Sequence, residues 1–200
     1  MGFEIPDKIK RGIIIMSSYF DSVKTQFKDW KVASLVIIFT VVRLIYGWSW
    51  FEAGLHKIEW FSDGKLNSAA KIGTLVTNIA GPKVTSFDPL YINKAWAWVA
   101  QNVFLGMPGL TDTLVVIFEI LVGVSMILGF RIFWFALIAM FMNVQFIAGG
   151  SFNNFGYIWT NLAFLKFAQY GELLGLDGFL KFKQKKELLV KHNVSAVTGK

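Results

Sequence analysis

Four long apolar runs dominate the chain, at residues 32–51, 113–130, 132–148 and 155–176. Each falls in the range of roughly 17–25 residues that lets a helix cross bilayer hydrocarbon. The first is broken only by Ser34, Thr40, Arg43 and Ser49. The pattern predicts an all-α fold, a polytopic membrane four-helix bundle. Its spans are expected at about residues 32–56, 113–130, 132–149 and 155–175 of a membrane domain covering 32–176. Ahead of it, Ile9, Ile13, Met16, Phe20, Val23 and Phe27 recur at spacings of three and four. Lys8, Ser17, Asp21, Lys24 and Lys28 lie largely off that line. Residues 1–31 are therefore expected to form an amphipathic helix, lying on the cytoplasmic membrane surface or packed on a partner subunit.

Between the first two runs lies a long outer segment, residues 59–109. It predicts two short helices, at 66–80 and 92–104. The first is closed by Gly81 and Pro82, and the second opens after the turn at 87–89. Asp112 or Thr111 is the expected cap of the second span. The tight turn at Gly129, Phe130 and Arg131 makes spans two and three antiparallel neighbours. Residues 148–154 form another short turn, and Asp177 is the expected cap of a last basic helix within the tail 177–200.

Composition supports the membrane reading. The chain is 54% apolar and 16% charged, with 20 phenylalanines and 8 tryptophans, against about 25% charged in ordinary soluble domains. A soluble helical protein of this size buries only about 70% of its surface, too little for several helices apolar on nearly every face. There is no cysteine, which removes disulfides, thiolate chemistry and cysteine metal sites. The net charge of +7 is informative through its placement and is no nucleic-acid signal. Lys8, Lys10, Arg11, Lys24, Lys28 and Lys31 precede the first span. Lys181, Lys183, Lys185, Lys186, Lys191 and Lys200 follow the last, and Arg131 sits between spans two and three. The positive-inside rule then predicts a multi-pass cell-membrane protein with both termini cytoplasmic. Trp48, Trp50, Trp60, Trp96 and Trp98 gather near the opposite side, as an interfacial belt would.

Polar residues inside apolar runs are costly and should face the bundle interior. Arg43, Gly47, Trp50, Gly54 and Lys57 are spaced by four, three, four and three residues, so they share one helical stripe. Its glycines admit a neighbouring helix or a flat ligand. Glu52 and His56 lie four apart on the opposite side. Glu119, with Gly123 one turn on, is expected at a depth similar to Arg43 and within reach of it. That constellation reads either as a site for a ligand head group or a proton, or as a buried ion pair fixing helix register. Asn143 and Gln145 suit hydrogen bonds between helices. Asn161, Lys166 and Gln169 occupy the fourth run, with Lys166 expected to turn into the bundle. There is no glycine–lysine phosphate loop and no HExxH. His56 and His192 are the two histidines, too few for paired haem ligation, and no metal site is predicted.

Three stretches carry a family likeness: RLIYGWSWFEAGLHK from Arg43, FEILVGVSMILGFRIF from Phe118 and YGELLGLD from Tyr170. In their order and spacing they resemble the DoxX/DoxD family of small four-helix membrane proteins, over about residues 32–180. The resemblance implies a large-subunit-like component of a thiosulfate:quinone oxidoreductase. Such a component serves electron transport in the cell membrane beside a small redox subunit, DoxA. By similarity, Arg43, Gly47, Gly54 and Lys57 match the first motif, Glu119 and Gly123 the second, and Asp177 the third. Glu172 and Gly175 stand where small members often carry arginine and serine. The function expected on this basis is a membrane redox subunit engaging a quinone, with thiosulfate as donor. The alternative is a non-catalytic accessory or assembly subunit of a larger respiratory or membrane complex. The expected catalytic residues are Arg43, Glu119, Lys57, His56 and Lys166. Gly47, Trp50, Gly54 and Gly123 are the expected quinone-binding residues, and the lipid bilayer is the expected surrounding partner.

Overall fold

The computed structural model describes residues 7–61, 63, 65–82, 84 and 88–198. Among these it forms eight α-helices: α1 Asp7–Gln26, α2 Trp30–Leu55, α3 Ala69–Ala80, α4 Ile92–Val99, α5 Pro108–Leu128, α6 Ile132–Ala148, α7 Phe155–Leu173 and α8 Leu176–Thr198. Short turns of tighter or wider helix occur at Ile58–Phe61, Phe152–Asn154 and Ala100–Phe104. The side chains of Lys8, Lys10, Arg11, Lys191, His192 and Lys200, together with Lys83 and Phe87, lie outside the described residues.

Four helices form the centre. α2 packs most extensively on α5, α5 on α6, α6 on α7, and α7 returns to α2. The shared core contains Tyr46, Trp50, Val122, Met126, Met142 and Phe164, with the small Ala136 and Ala139 where α6 is enclosed. α3 and α4 cover one end. Trp96 Nε1 donates to Gln145 Oε1 at 2.7 Å, Asn78 Nδ2 to the Ala148 carbonyl at 2.7 Å, and Lys71 Nζ to Ser151 Oγ. Asp112, fully buried, does not cap its own helix. Its carboxylate accepts from Asn67 N at 2.6 Å, Ser68 N at 3.2 Å and Ser68 Oγ at 2.5 Å, and so pins the chain entering α3 to α5. Pro108 opens α5 instead, where a missing N–H costs nothing.

α1 and α8 sit at the other end. The Tyr19 ring meets Phe179 at 5.6 Å and Phe182 at 5.5 Å, and its hydroxyl donates to the Leu173 carbonyl. The turn between α5 and α6 is docked there too. Gly129 takes the left-handed conformation (φ 67°), and Phe130 N donates to the Ser125 carbonyl at 3.0 Å, the closing bond of a Schellman cap. Gly175 packs on Gly129 so closely that a Cβ would lie 2.7 Å from the Gly129 Cα. Asp177 Oδ2 accepts from Arg131 N at 2.7 Å, so this carboxylate caps the start of α6 across the tertiary contact.

The all-α class is as expected, but the architecture is an eight-helix bundle with extensive long-range packing and not a polytopic four-helix bundle. Only two described helical stretches, Trp30–Leu55 and Gly109–Leu128, are long and apolar enough to cross a membrane. α6 has 17 residues, about 26 Å of helix. α7 has non-helical torsions at Phe167 (φ −120°, ψ 22°) and carries Asn161, Lys166, Gln169 and Glu172. The expected multi-pass topology, with four spans and both termini cytoplasmic, is therefore overturned. Run length in a sequence counts apolar residues without regard to helix breaks or to the packing of flanking helices.

Candidate functional site

The α2–α5 contact sets the positions of Arg43, Lys57 and Glu119. Three glycines make it close. A Cβ on Gly47 would fall 2.8 Å from Met126 Cβ, one on Gly54 2.7 Å from Ile120 Cγ1, and one on Gly123 2.5 Å from Phe51 N. The glycine stripe is thus occupied by the neighbouring helix along its length. The helices run antiparallel, with Gly47 opposite Met126 and Gly54 opposite Glu119 and Ile120.

That register separates the two residues expected to pair. Arg43 lies eleven residues before Gly54, about 16 Å along the helix, and so away from the level of Glu119. It is 2% exposed and donates from Nη1 to the Met126 carbonyl at 2.5 Å and the Ile127 carbonyl at 2.8 Å. These belong to the last turn of α5, where carbonyls lack the ordinary helical donor four residues on and the helix dipole is negative; Met126 also accepts from Gly129 N at 3.3 Å. Arg43 is a tertiary C-cap, and burial lowers its pKa from the ordinary value. Depth estimated from span ends could not reveal this offset.

Glu119 has Lys57 as its partner. Lys57 Nζ reaches both carboxylate oxygens, at 2.5 and 2.7 Å. Glu119 is 2% exposed and the Lys57 side chain 28%. Burial raises the Glu119 pKa, and the lysine opposes the rise without cancelling it. Lys57 also lies 5.7 Å from the Trp60 ring. His56 is exposed at the end of α2. Lys166, expected to turn inward, is exposed on α7 with its ammonium 5.4 Å from the Phe167 ring.

The ion pair forms part of the wall of a cavity of about 540 Å³. α2, α5 and α6 supply its sides, with Trp50, Ala53, Val115, Phe118 and Phe146 among the apolar lining, and α3 closes it with Ile72 and Leu75. Asn143, Gln145, Asn153 and Tyr157 add polar atoms. Trp50, an expected site residue, stacks on Phe146 with ring centres 6.3 Å apart. Arg43, His56, Lys166, Gly47, Gly54 and Gly123 do not line this cavity; Lys57, Glu119 and Trp50 do.

Behind Asn143 runs a buried polar relay that sequence reasoning did not assemble. Asn143 Nδ2 donates to Tyr46 Oη at 3.3 Å, and the Tyr46 hydroxyl donates to Asn161 Oδ1 at 2.7 Å. Burial pushes the Tyr46 pKa up to about 12, so the hydroxyl keeps its proton across the physiological range. Asn143 Oδ1 and Asn161 Nδ2 are left buried without partners. Tyr46 was legible in principle, since it lies three residues after Arg43 and four before Trp50 on the same stripe.

No family model, curated protein or solved structure matches this chain. The DoxX/DoxD resemblance is corrected accordingly. Its glycines and aspartate meet in helix contacts and turn caps, which explains their spacing without common descent. The membrane quinone-oxidoreductase subunit, and with it the accessory subunit of a respiratory complex, rested on that resemblance and on a four-span bundle. Both supports are gone, and neither function is retained.

Proposed function

We propose that the protein binds a small, mostly apolar ring compound bearing a hydroxyl group, in the cavity between α2, α5, α6 and α3. The observation that carries this reading is Asn143. It lines the cavity, is 1% exposed, and its Oδ1 has no protein partner. A buried acceptor without a donor costs about 1–3 kcal/mol; Oδ1 has no water-accessible surface as the side chain stands, so a ligand hydroxyl recovers that cost once the Asn143 amide turns toward the cavity that it lines. The volume of about 540 Å³ is in the range usual for small-molecule sites, roughly 300–1,000 Å³. Trp50, Phe118 and Phe146 supply faces against which a flat ring packs. Glu119 is already neutralised by Lys57, so the wall is polar without demanding a charged ligand.

This chemistry discriminates among ring ligands. The carbonyls of a quinone ring are acceptors and do not satisfy Oδ1. A phenol or hydroquinone offers the required donor. The experiment is calorimetric titration with 2-naphthol and with 2-methoxynaphthalene, which keeps the ring and removes the donor. The naphthol should bind about tenfold more tightly, the effect of one buried hydrogen bond. The preference should vanish in Asn143→Leu. Equal affinity for both compounds, or binding of neither, would refute the proposal.

A further inference from the structure

α1 carries two apolar stripes, and α8 uses one of them. Tyr19 and Val23 are buried, at 8% and 6% exposure. Tyr19 packs between Phe179 and Phe182, and Lys186 Nζ donates to Ser18 Oγ at 3.0 Å. This fixes the rotation of α1 about its axis. The second stripe, Ile9, Ile13, Met16 and Phe20, is left more than half exposed, at 54%, 57%, 51% and 53%. At about 100° per residue these four positions fall within an arc of roughly 60° centred about 90° from Tyr19, with Val23 between the two at the edge nearest Tyr19. Trp30, 72% exposed, stands just beyond the end of α1.

Exposed lysines follow this stripe in the chain and stand on the α8 helix packed against α1. Lys24, Lys28 and Lys31 follow it, and Lys183 and Lys185 are exposed on α8. Among the described residues the exposed acids nearby are Asp21, Asp29 and Glu187. Lys181 is engaged by Glu172. The balance of exposed charge is basic. An apolar stripe with lysines near it suits the interface of an anionic lipid surface, where aliphatic and aromatic side chains enter the acyl boundary and ammonium groups meet phosphates.

We infer that α1, held in orientation by α8, is an in-plane docking element for an anionic lipid surface. The occupant is lipid, because the charge near the stripe complements phosphate headgroups. A second copy of the chain would set these same lysines against one another. The docking needs no helix to cross the bilayer and is independent of the cavity.

The test is flotation of the full chain with phosphatidylcholine vesicles, with and without about 30% phosphatidylglycerol, in low and high salt. The parent should float with the anionic vesicles and lose binding as salt rises. The double variant Ile13→Asp, Phe20→Asp should bind at least tenfold more weakly. Lys183→Glu with Lys185→Glu should also weaken binding, on the order of tenfold, on anionic vesicles alone. All four substituted side chains, Ile13, Phe20, Lys183 and Lys185, are solvent-exposed, so the variants should keep the parent's circular dichroism. Three outcomes overturn the inference: a parent that ignores anionic vesicles, variants that bind as the parent does, or an aspartate variant that loses only self-association in sedimentation.

Discussion

Replacing Gly123 by alanine adds one methyl group where the structure has no space. The new Cβ would lie 2.5 Å from Phe51 N, 2.6 Å from Phe51 Cβ and 2.7 Å from Phe51 Cα. Two of these atoms are backbone of α2, so no rotamer change relieves the clash. Ordinary contact begins near 3.4 Å, so α5 must move away from α2 by about 1 Å. A gap of that size forfeits a quarter to a half of each dispersion well along the interface, and overpacking typically costs about 1–3 kcal/mol. Alanine's better helix propensity returns about 1 kcal/mol. The α2–α5 contact is the most extensive among the described helices, which places the net loss toward the upper end, about 2 kcal/mol. For a chain of this length that lowers the melting temperature by roughly 4–8 °C. Gly73→Ala is the control. Gly73 lies inside α3 with nothing within 4 Å of its Cβ position, so the same chemical change should raise the melting temperature by about 2–4 °C. Thermal unfolding followed at 222 nm reads both. If Gly123→Ala melts within about 1 °C of the parent, the close α2–α5 packing is wrong.

Three further substitutions probe the polar framework. Arg43→Met should cost about 2–4 kcal/mol in urea unfolding, because the Met126 and Ile127 carbonyls lose a charged donor inside the protein; an unchanged midpoint would remove its capping role. Asp112→Ala should speed amide hydrogen exchange at Asn67 and Ser68 by tenfold or more, since both N–H groups donate to that carboxylate; unchanged protection there would show that the roof is held by other contacts. Burial raises the Glu119 pKa above 4.5, so the folded state binds this proton more tightly than the unfolded chain. Stability should therefore fall as pH rises from about 4.5 through the raised value. Glu119→Gln should abolish that dependence and gain on the parent with rising pH, as read from melting temperatures in a pH series. A parent that instead gains relative to the variant over that window would reverse the sign.

The four central helices were legible because apolar residues at helical spacing and the glycine after Leu128 act locally; the start of α5 at Pro108 was not, since Thr111 and Asp112 offered themselves as caps. The short helices of the outer segment were legible for the same reason: the expected 66–80 appears as Ala69–Ala80. The expected 92–104 appears as Ile92–Val99 continued by the wider turn at Ala100–Phe104. Register was not legible. Whether Glu119 meets Arg43 or Lys57 depends on which residues of two antiparallel helices stand level, and the glycine contacts that decide this are tertiary. The same holds for Asp112 and Asp177, which resemble local helix caps in sequence and instead bind N–H groups 44–46 residues away. Lys166 shows the other failure. The fourth run is apolar around much of its circumference, so the pattern does not say which face is buried. The line through Ile9, Ile13, Met16, Phe20, Val23 and Phe27 reads in sequence as one face turned to a membrane surface or a partner subunit, yet Val23 at its edge is buried with Tyr19, which lies off the line, while Ile9, Ile13, Met16 and Phe20 are exposed.

The most direct test of the cavity reading is to locate a ligand in it. A crystal of the protein grown with 6-bromo-2-naphthol permits the bromine to be placed by anomalous scattering and the ring by ordinary density. The account predicts the ring in the cavity against Trp50, Phe118 and Phe146, with its hydroxyl oxygen about 2.7 Å from Asn143 Oδ1. Bromine found only on the outer faces of the helices, with the space beside Asn143 filled by solvent or collapsed, would contradict it.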